Sequence, residues 1–236
     1  MSHPVNEGDR LRRLERSLVR VRERVASACR RAGRRPEEVR MIGVTKGVPG
    51  ETVALASRAG LTEFGENYVQ ELVGKRDLAP EATWHFVGRL QRNKVPRLLD
   101  AADMVQSLEP GPAAERLARL AEERDRPMEC LIEVDFTGAR VGVPPGDVEA
   151  FADRMAGRGG LRVRGLMAVA PPMADPRPTF ASLRELRDRL GDRLEDVREL
   201  SMGMSADLEA AVEEGATMVR VGTAIFGPRE VEVSRR

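Results

Sequence analysis

Lysine, cysteine, histidine and aromatic side chains are all scarce in this chain of 236 residues, and each shortage closes a class of function. The two cysteines, Cys29 and Cys130, lie far apart and outside any CxxC spacing, which excludes a disulfide framework and a thiolate zinc site and points to a reducing compartment. Two histidines leave no metal cluster or catalytic triad to assemble. Lys+Arg 39 against Asp+Glu 38 leaves a formal charge of +1, so no whole-chain field draws in nucleic acid or an anionic membrane. The opening stretch MSHPVNEGDRLRRLERSLVR is charged throughout, without the apolar core of a secretory leader. No later run approaches the roughly 20 apolar residues of a membrane span. The expectation is a cytoplasmic protein without a membrane partner. No Gly/Ser-rich linker divides the chain, so a single domain is expected.

What is present is core material and alternation. Hydrophobic residues make up 41% and charged residues 33% of the chain, enough for a sizeable core under a wet surface. Leu11, Leu14, Leu18, Val21, Val25 and Ala28 follow 3-4-3-4-3 spacing, the apolar stripe of a long helix ending near Gly33. Beyond it, eight short β-rich segments alternate with amphipathic stretches. They are Val39 to Thr45, Leu61 to Gly65, Trp84 to Leu90, Met104 to Leu108, Cys130 to Phe136, Val163 to Val169, Leu200 to Met204 and Met218 to Phe226. Helical patterns fall near 51–59, 67–76, 93–99, 112–124, 147–156, 179–190 and 207–214. At this length the pattern predicts an α/β fold, a (β/α)8 barrel of the TIM type with an extra N-terminal helix, ahead of a doubly wound open sheet.

Barrels place functional groups at the C-terminal ends of their strands. Of the 39 basic residues only Lys46, Lys75 and Lys94 are lysine. A guanidinium stays protonated, whereas an amine can serve as a nucleophile, so a lysine kept in an arginine-rich chain is a candidate for amine chemistry. Lys46 ends the first predicted strand before the Gly47/Pro49 break. Lys75, after a polar helical stretch, and Lys94, in RLQRNK, read as solvated or anion-facing charges. Phosphate sites in barrels form after strands seven and eight. There Ser201 and Thr223 offer hydroxyls while Gly203 and Gly222 let the backbone approach an anion. An amine facing a phosphate cradle suits an aldehyde carrying a phosphate, and pyridoxal 5'-phosphate (PLP) is the candidate cofactor.

Lys46 in IGVTKGVP, FGENYVQEL at 64 to 72, WHFVGRLQRNK at 84 to 94, VQSLE at 105 to 109, RGLMAVAPP at 164 to 172 and LSMGMSADLEAAVEEGATMVRVGTAIFG at 200 to 227 resemble the YggS/PROSC family of PLP homeostasis proteins. The resemblance implies a barrel like the N-terminal domain of alanine racemase, with PLP held as a Schiff base on Lys46. It further implies Ser201, Gly222 and Thr223 on the phosphate, Arg220 facing the pyridine nitrogen, and Asn67 and Met202 lining the ring. This chain has Thr45-Lys46-Gly47 where the family often has Ser-Lys-Thr, and Arg89 where a His or Pro is common. FTGARVG carries no lysine before its last glycine, so no second rim lysine is implied.

Three functions follow as expectations. The first is a non-catalytic, monomeric holder of PLP: only Pro228 to Arg236 follow the last predicted strand, too few for the second domain that completes a racemase. An arginine at the pyridine nitrogen also weakens the electron sink that stabilises a carbanion. Such a monomer would buffer PLP or deliver it to PLP-dependent apo-enzymes. The second is an amino-acid racemase using Tyr68 or His85 as its other acid/base. The third is nucleic-acid binding through residues 10 to 35, which hold 11 arginines against Glu15 and Glu23 but no interleaved aromatics, so a solvated helix face is preferred.

Overall fold

A computed structural model describes residues 6–138 and 141–228. Eight parallel strands close into one barrel in chain order: β1 (Arg40–Val44), β2 (Glu63–Glu66), β3 (Thr83–Phe86), β4 (Met104–Leu108), β5 (Met128–Glu133), β6 (Leu161–Met167), β7 (Glu199–Ser201) and β8 (Met218–Val221). Closure runs from Arg40 opposite Met218 to Gly43 opposite Val221. The open-sheet alternative is thereby set aside. Helices α1 (Glu7–Arg31), α2 (Gly50–Arg58), α3 (Val69–Lys75), α4 (Val95–Ala101), α5 (Pro112–Glu123), α6 (Val148–Ala156), α7 (Arg177–Gly191), α8 (Leu208–Glu213) and α9 (Thr223–Phe226) surround it. Ala139 and Arg140 of FTGARVG, the first five residues and the segment after Pro228 lie outside the described residues.

α1 begins at Asn6, whose side chain accepts the Asp9 N–H at 3.0 Å, with Glu7 and Asp9 in the first turn and Arg30 and Arg31 in the last. Its apolar stripe, Leu14, Leu18, Val21, Val25 and Ala28, is buried against α2, α8 and α9. The arginines of its other face are largely engaged by this same chain. Arg24 pairs with Glu209, Arg31 with Glu213, Arg10 with Glu51, Arg12 with Asp9, and Arg34 and Arg35 with Glu38. That is the solvated, ion-paired face, not an open cationic stripe.

Two cores share the strands, because successive side chains point to opposite sides of a sheet. One set packs outward under the helices around Phe64, Trp84 and Phe86, with Phe64 and Trp84 stacked at 5.0 Å. The other fills the barrel with Ile42, Met104, Leu131, Met167 and Met218. Five predicted strands run at least two residues past their C-terminal ends, β5 and β6 among them, which stop at Glu133 and Met167. β3 stops at Phe86 and β7 at Ser201, and Thr223–Phe226, expected as strand, forms α9. Gly222 turns the backbone out of the sheet (φ −108°, ψ −76°) so that the chain rolls into a helical turn over the barrel mouth. Among the described residues no helix is long and apolar enough to cross a membrane. Cys29 and Cys130 are free, buried thiols, and burial pushes the Cys130 thiol far up, which keeps it inert.

Candidate functional site

Alternation carries the interior face of each strand upward to the mouth. On β1 it runs Ile42, Val44 and then Lys46; on β5, Leu131 and Glu133; on β8, Met218, Arg220 and Gly222. Their upper members open on a cavity of about 490 Å³ at the C-terminal ends of the strands, a size proper to small-molecule sites. Val44, Val87 and Val169 supply apolar walls, and Asn67 stands on the rim after β2. Gly88 makes room for it: a Cβ there would lie 2.0 Å from the Asn67 carbonyl oxygen.

At the amine end, Lys46 is half-buried and is the first lining residue beyond β1. Behind it lies the largest departure from expectation. Lys75 is buried, not solvated, and its Nζ donates to Glu66 Oε1 at 2.6 Å, Glu71 Oε2 at 2.7 Å and the Thr45 carbonyl at 2.8 Å. Lys75 is the last residue of α3, and its long side chain, tilted back toward the start of the helix, reaches Thr45 and Glu66 at the C-terminal ends of β1 and β2. The Thr45 hydroxyl donates to Glu66 Oε1 at 2.7 Å, and the Gly47 N–H donates to Glu71 Oε2 at 2.9 Å. Burial pushes Glu66 up from its ordinary range, with the hydrogen bonds from Lys75 and Thr45 pulling it back. Burial also works to raise Glu71, but the hydrogen bonds from Lys75 and the Gly47 N–H, with the charges of Lys75 and Lys46, outweigh it and lower that carboxyl.

Beyond β7 and β8, Ser205, Gly222 and Thr223 converge on the cavity. The Thr223 hydroxyl donates to Ser205 Oγ at 3.2 Å, and the Ala224 N–H approaches the same oxygen at 3.3 Å. Gly203 is required here: it has φ +89°, and a Cβ would meet that of Ala211 at 2.4 Å. Two bonds brace the loop it starts, the Met204 N–H to Asp207 Oδ1 at 2.6 Å and Arg24 Nη2 to the Ser205 carbonyl at 3.0 Å.

Of the seven residues singled out in the sequence, Lys46, Asn67, Arg220, Gly222 and Thr223 line this cavity; Ser201 and Met202 do not. Ser201 faces inward one tier below the mouth, where its hydroxyl donates to Gln106 Oε1 at 2.7 Å and accepts from Arg220 Nη1 at 2.6 Å. Met202 has the opposite parity and belongs to the outer core. The serine that lines the cavity is Ser205, beyond the Gly203 turn. Ser201 instead forms the underside of Arg220, whose guanidinium also donates to the Ser201 carbonyl at 2.8 Å and the Ala168 carbonyl at 2.9 Å. His85 is fully buried between Glu63 at 2.8 Å and Gln106 at 3.0 Å, and Tyr68 is 55% exposed; neither lines the cavity. Sequence reasoning missed Val87, Glu133, Val169 and Ser205. Counting by two along each strand from its interior residue, His85, Leu131 or Met167, finds the first three; Ser205 depends on the positive φ of Gly203.

A family model described as "Alanine racemase, N-terminal domain" matches residues 17–230. A pyridoxal phosphate homeostasis protein of Aquifex aeolicus is 40% identical over 223 residues, covering 90% of this chain and 97% of that one. Its counterpart in Pseudomonas aeruginosa is 38% identical over 218 residues, covering 91% and 95%. PipY of Synechococcus elongatus, solved with PLP bound, superposes with a TM-score of 0.77 at 35% identity, covering 88% of this chain and 100% of that one.

Proposed function

Because this chain belongs to the YggS/PROSC family of pyridoxal phosphate homeostasis proteins, built on the alanine racemase N-terminal fold, we propose that its cavity holds PLP on Lys46 and serves to store or hand over the cofactor without turning over a substrate. The observation that carries this is that one lysine amine and a cradle of hydroxyls and glycine line the same cavity, from the ends of the paired strands β1 and β8 and the loop after β7. When bound, PLP supplies an aldehyde that condenses with a primary amine and a phosphate that needs hydrogen-bond donors. The residues present fit both needs. Lys46 offers the amine; Ser205 and Thr223 offer hydroxyl donors, and Gly222 permits close approach.

Arg220 is the ring's neighbour in this reading. Its guanidinium has no acceptor, so it can donate to a pyridine nitrogen but cannot support protonation there, which weakens the electron sink that carbanion chemistry needs. Tyr68 and His85, the two candidates for a racemase's second acid/base, stand away from the cavity. Both points favour the holder over the racemase.

Borohydride reduction of the PLP-loaded protein, followed by peptide mapping, is expected to label Lys46. Lys46→Ala is expected to lose the label and the visible absorbance while keeping its melting curve; a reducible linkage surviving in Lys46→Ala would overturn the assignment. Alanine racemisation by the loaded protein is expected to be no faster than by free PLP, and a clear excess would restore the racemase reading.

A further inference from the structure

We infer that Lys75, Glu66 and Glu71 form a buried clamp that positions Lys46, and Asn67 with it, for bonding to the cofactor; this rests on the reading of the cavity just given. Lys46 is in a difficult place. It stands past the last residue of β1, where ladder pairing ends, and is followed by Gly47 in a left-handed conformation (φ +71°). Its side chain must nevertheless enter the cavity at one angle, because misplacing a reacting group by about 1 Å costs on the order of 100-fold in rate.

The clamp takes hold of the peptide group on each side of this residue. The carbonyl of the Thr45–Lys46 peptide accepts from Lys75 Nζ at 2.8 Å, and the N–H of the Lys46–Gly47 peptide donates to Glu71 Oε2 at 2.9 Å. Lys75 and Glu71 are themselves joined at 2.7 Å, so the two grips form one unit. Glu66 completes it: Oε1 receives Lys75 and the Thr45 hydroxyl, while Oε2 receives the Asn67 N–H at 3.1 Å. One carboxylate therefore ties the end of β1 to the rim residue after β2. Burying an ammonium and a carboxylate is a poor route to stability, since apolar side chains of similar volume serve as well or better. Such a cluster is accounted for by what it orients. Lys75 and Glu66 do not themselves line the cavity; they act through Lys46 and Asn67 and are positioning residues.

The test compares the parent chain with Lys75→Met, Glu71→Ala and Glu71→Gln, reading the rate at which PLP becomes trappable by borohydride at Lys46, the absorbance band of the loaded protein, and the melting curve of the unloaded one. Lys75→Met and Glu71→Ala are expected to load at least tenfold more slowly and to give a shifted band. Glu71→Gln keeps an oxygen for the Gly47 N–H and is expected to recover most of the rate, a rescue that loss of stability alone would not produce. Should Lys75→Met fail to fold, the Glu71 pair decides, because Glu71 lies at the partly exposed edge of the cluster. Parent-like loading by Glu71→Ala overturns the clamp and leaves the cofactor assignment standing, whereas a parent that never becomes trappable at Lys46 overturns both.

Discussion

The two ends of the cavity are held by opposite means. Behind Lys46 the wall contains a buried ammonium between two carboxylates, with Glu66 fully shielded from water. Behind Ser205 and Thr223 the bracing is local backbone geometry, the Gly203 turn and the Asp207 cap, plus one ion pair, Arg24–Glu209, whose side chains are each about one-third exposed (35% and 34%). On the proposed reading Lys46 takes a covalent attachment, which tolerates little angular error and suits a wall with a water-shielded carboxylate at its centre. On the same reading the other group of residues meets an anion, which several adjustable donors can serve, and hydroxyls on short loops near solvent suit that task.

The contrast is broken most directly by removing one cation from each end. Lys75→Met leaves Glu66 buried and unpaired and is expected to cost about 3–5 kcal/mol in chemical denaturation. If it costs no more than an exposed pair does, the wall is wetter than its burial implies. At the other end, Ser205→Ala combined with Thr223→Val removes two donors to a charged group, each worth about 1.5–3 kcal/mol. The double variant is expected to bind PLP at least tenfold more weakly in equilibrium dialysis and still to be trapped at Lys46 when cofactor is saturating. Loss of trapping at saturation would mean that the two ends are not separable.

Acid sharpens the comparison further. The Glu71 carboxyl is lowered on folding, so its stabilisation is present above its ordinary value of 4.5 and is lost as pH falls through its folded value. Glu66 is raised, so its protonated form favours the folded state, and that contribution disappears as pH rises from 4.5 through its folded value. Glu71→Gln is therefore expected to flatten the acid side of a melting-temperature profile below pH 4.5, and Glu66→Gln the limb above it; an unchanged profile in both would remove electrostatics from the account. The smallest effect is expected from Arg24→Ala, which removes a pair about one-third exposed and worth about 0–1 kcal/mol. Its melting shift should shrink further in high salt.

The barrel is legible in the sequence because eight β-branched runs alternate with amphipathic stretches, a pattern few folds satisfy at this length. Lys46 is legible too, since a lysine just before a Gly/Pro break stands out among arginines. Ser205 is not: two serines flank Met-Gly-Met, and only the handedness of the Gly203 turn decides which one climbs to the rim. Lys75 is hidden for a different reason. On a seven-residue helix with polar neighbours it looks like any surface cation, and its burial comes from partners 30, nine and four residues away that the fold brings together.

With Lys75 locked in the wall and its nitrogen saturated, and Lys94 in the short turn Arg92–Lys94 outside the mouth, the chain offers an acylating reagent very few side-chain amines. The one in the mouth is shielded whenever the cavity is filled. Mass shifts on that single peptide would therefore report occupancy directly, in a purified sample or a crude extract, without any chromophore.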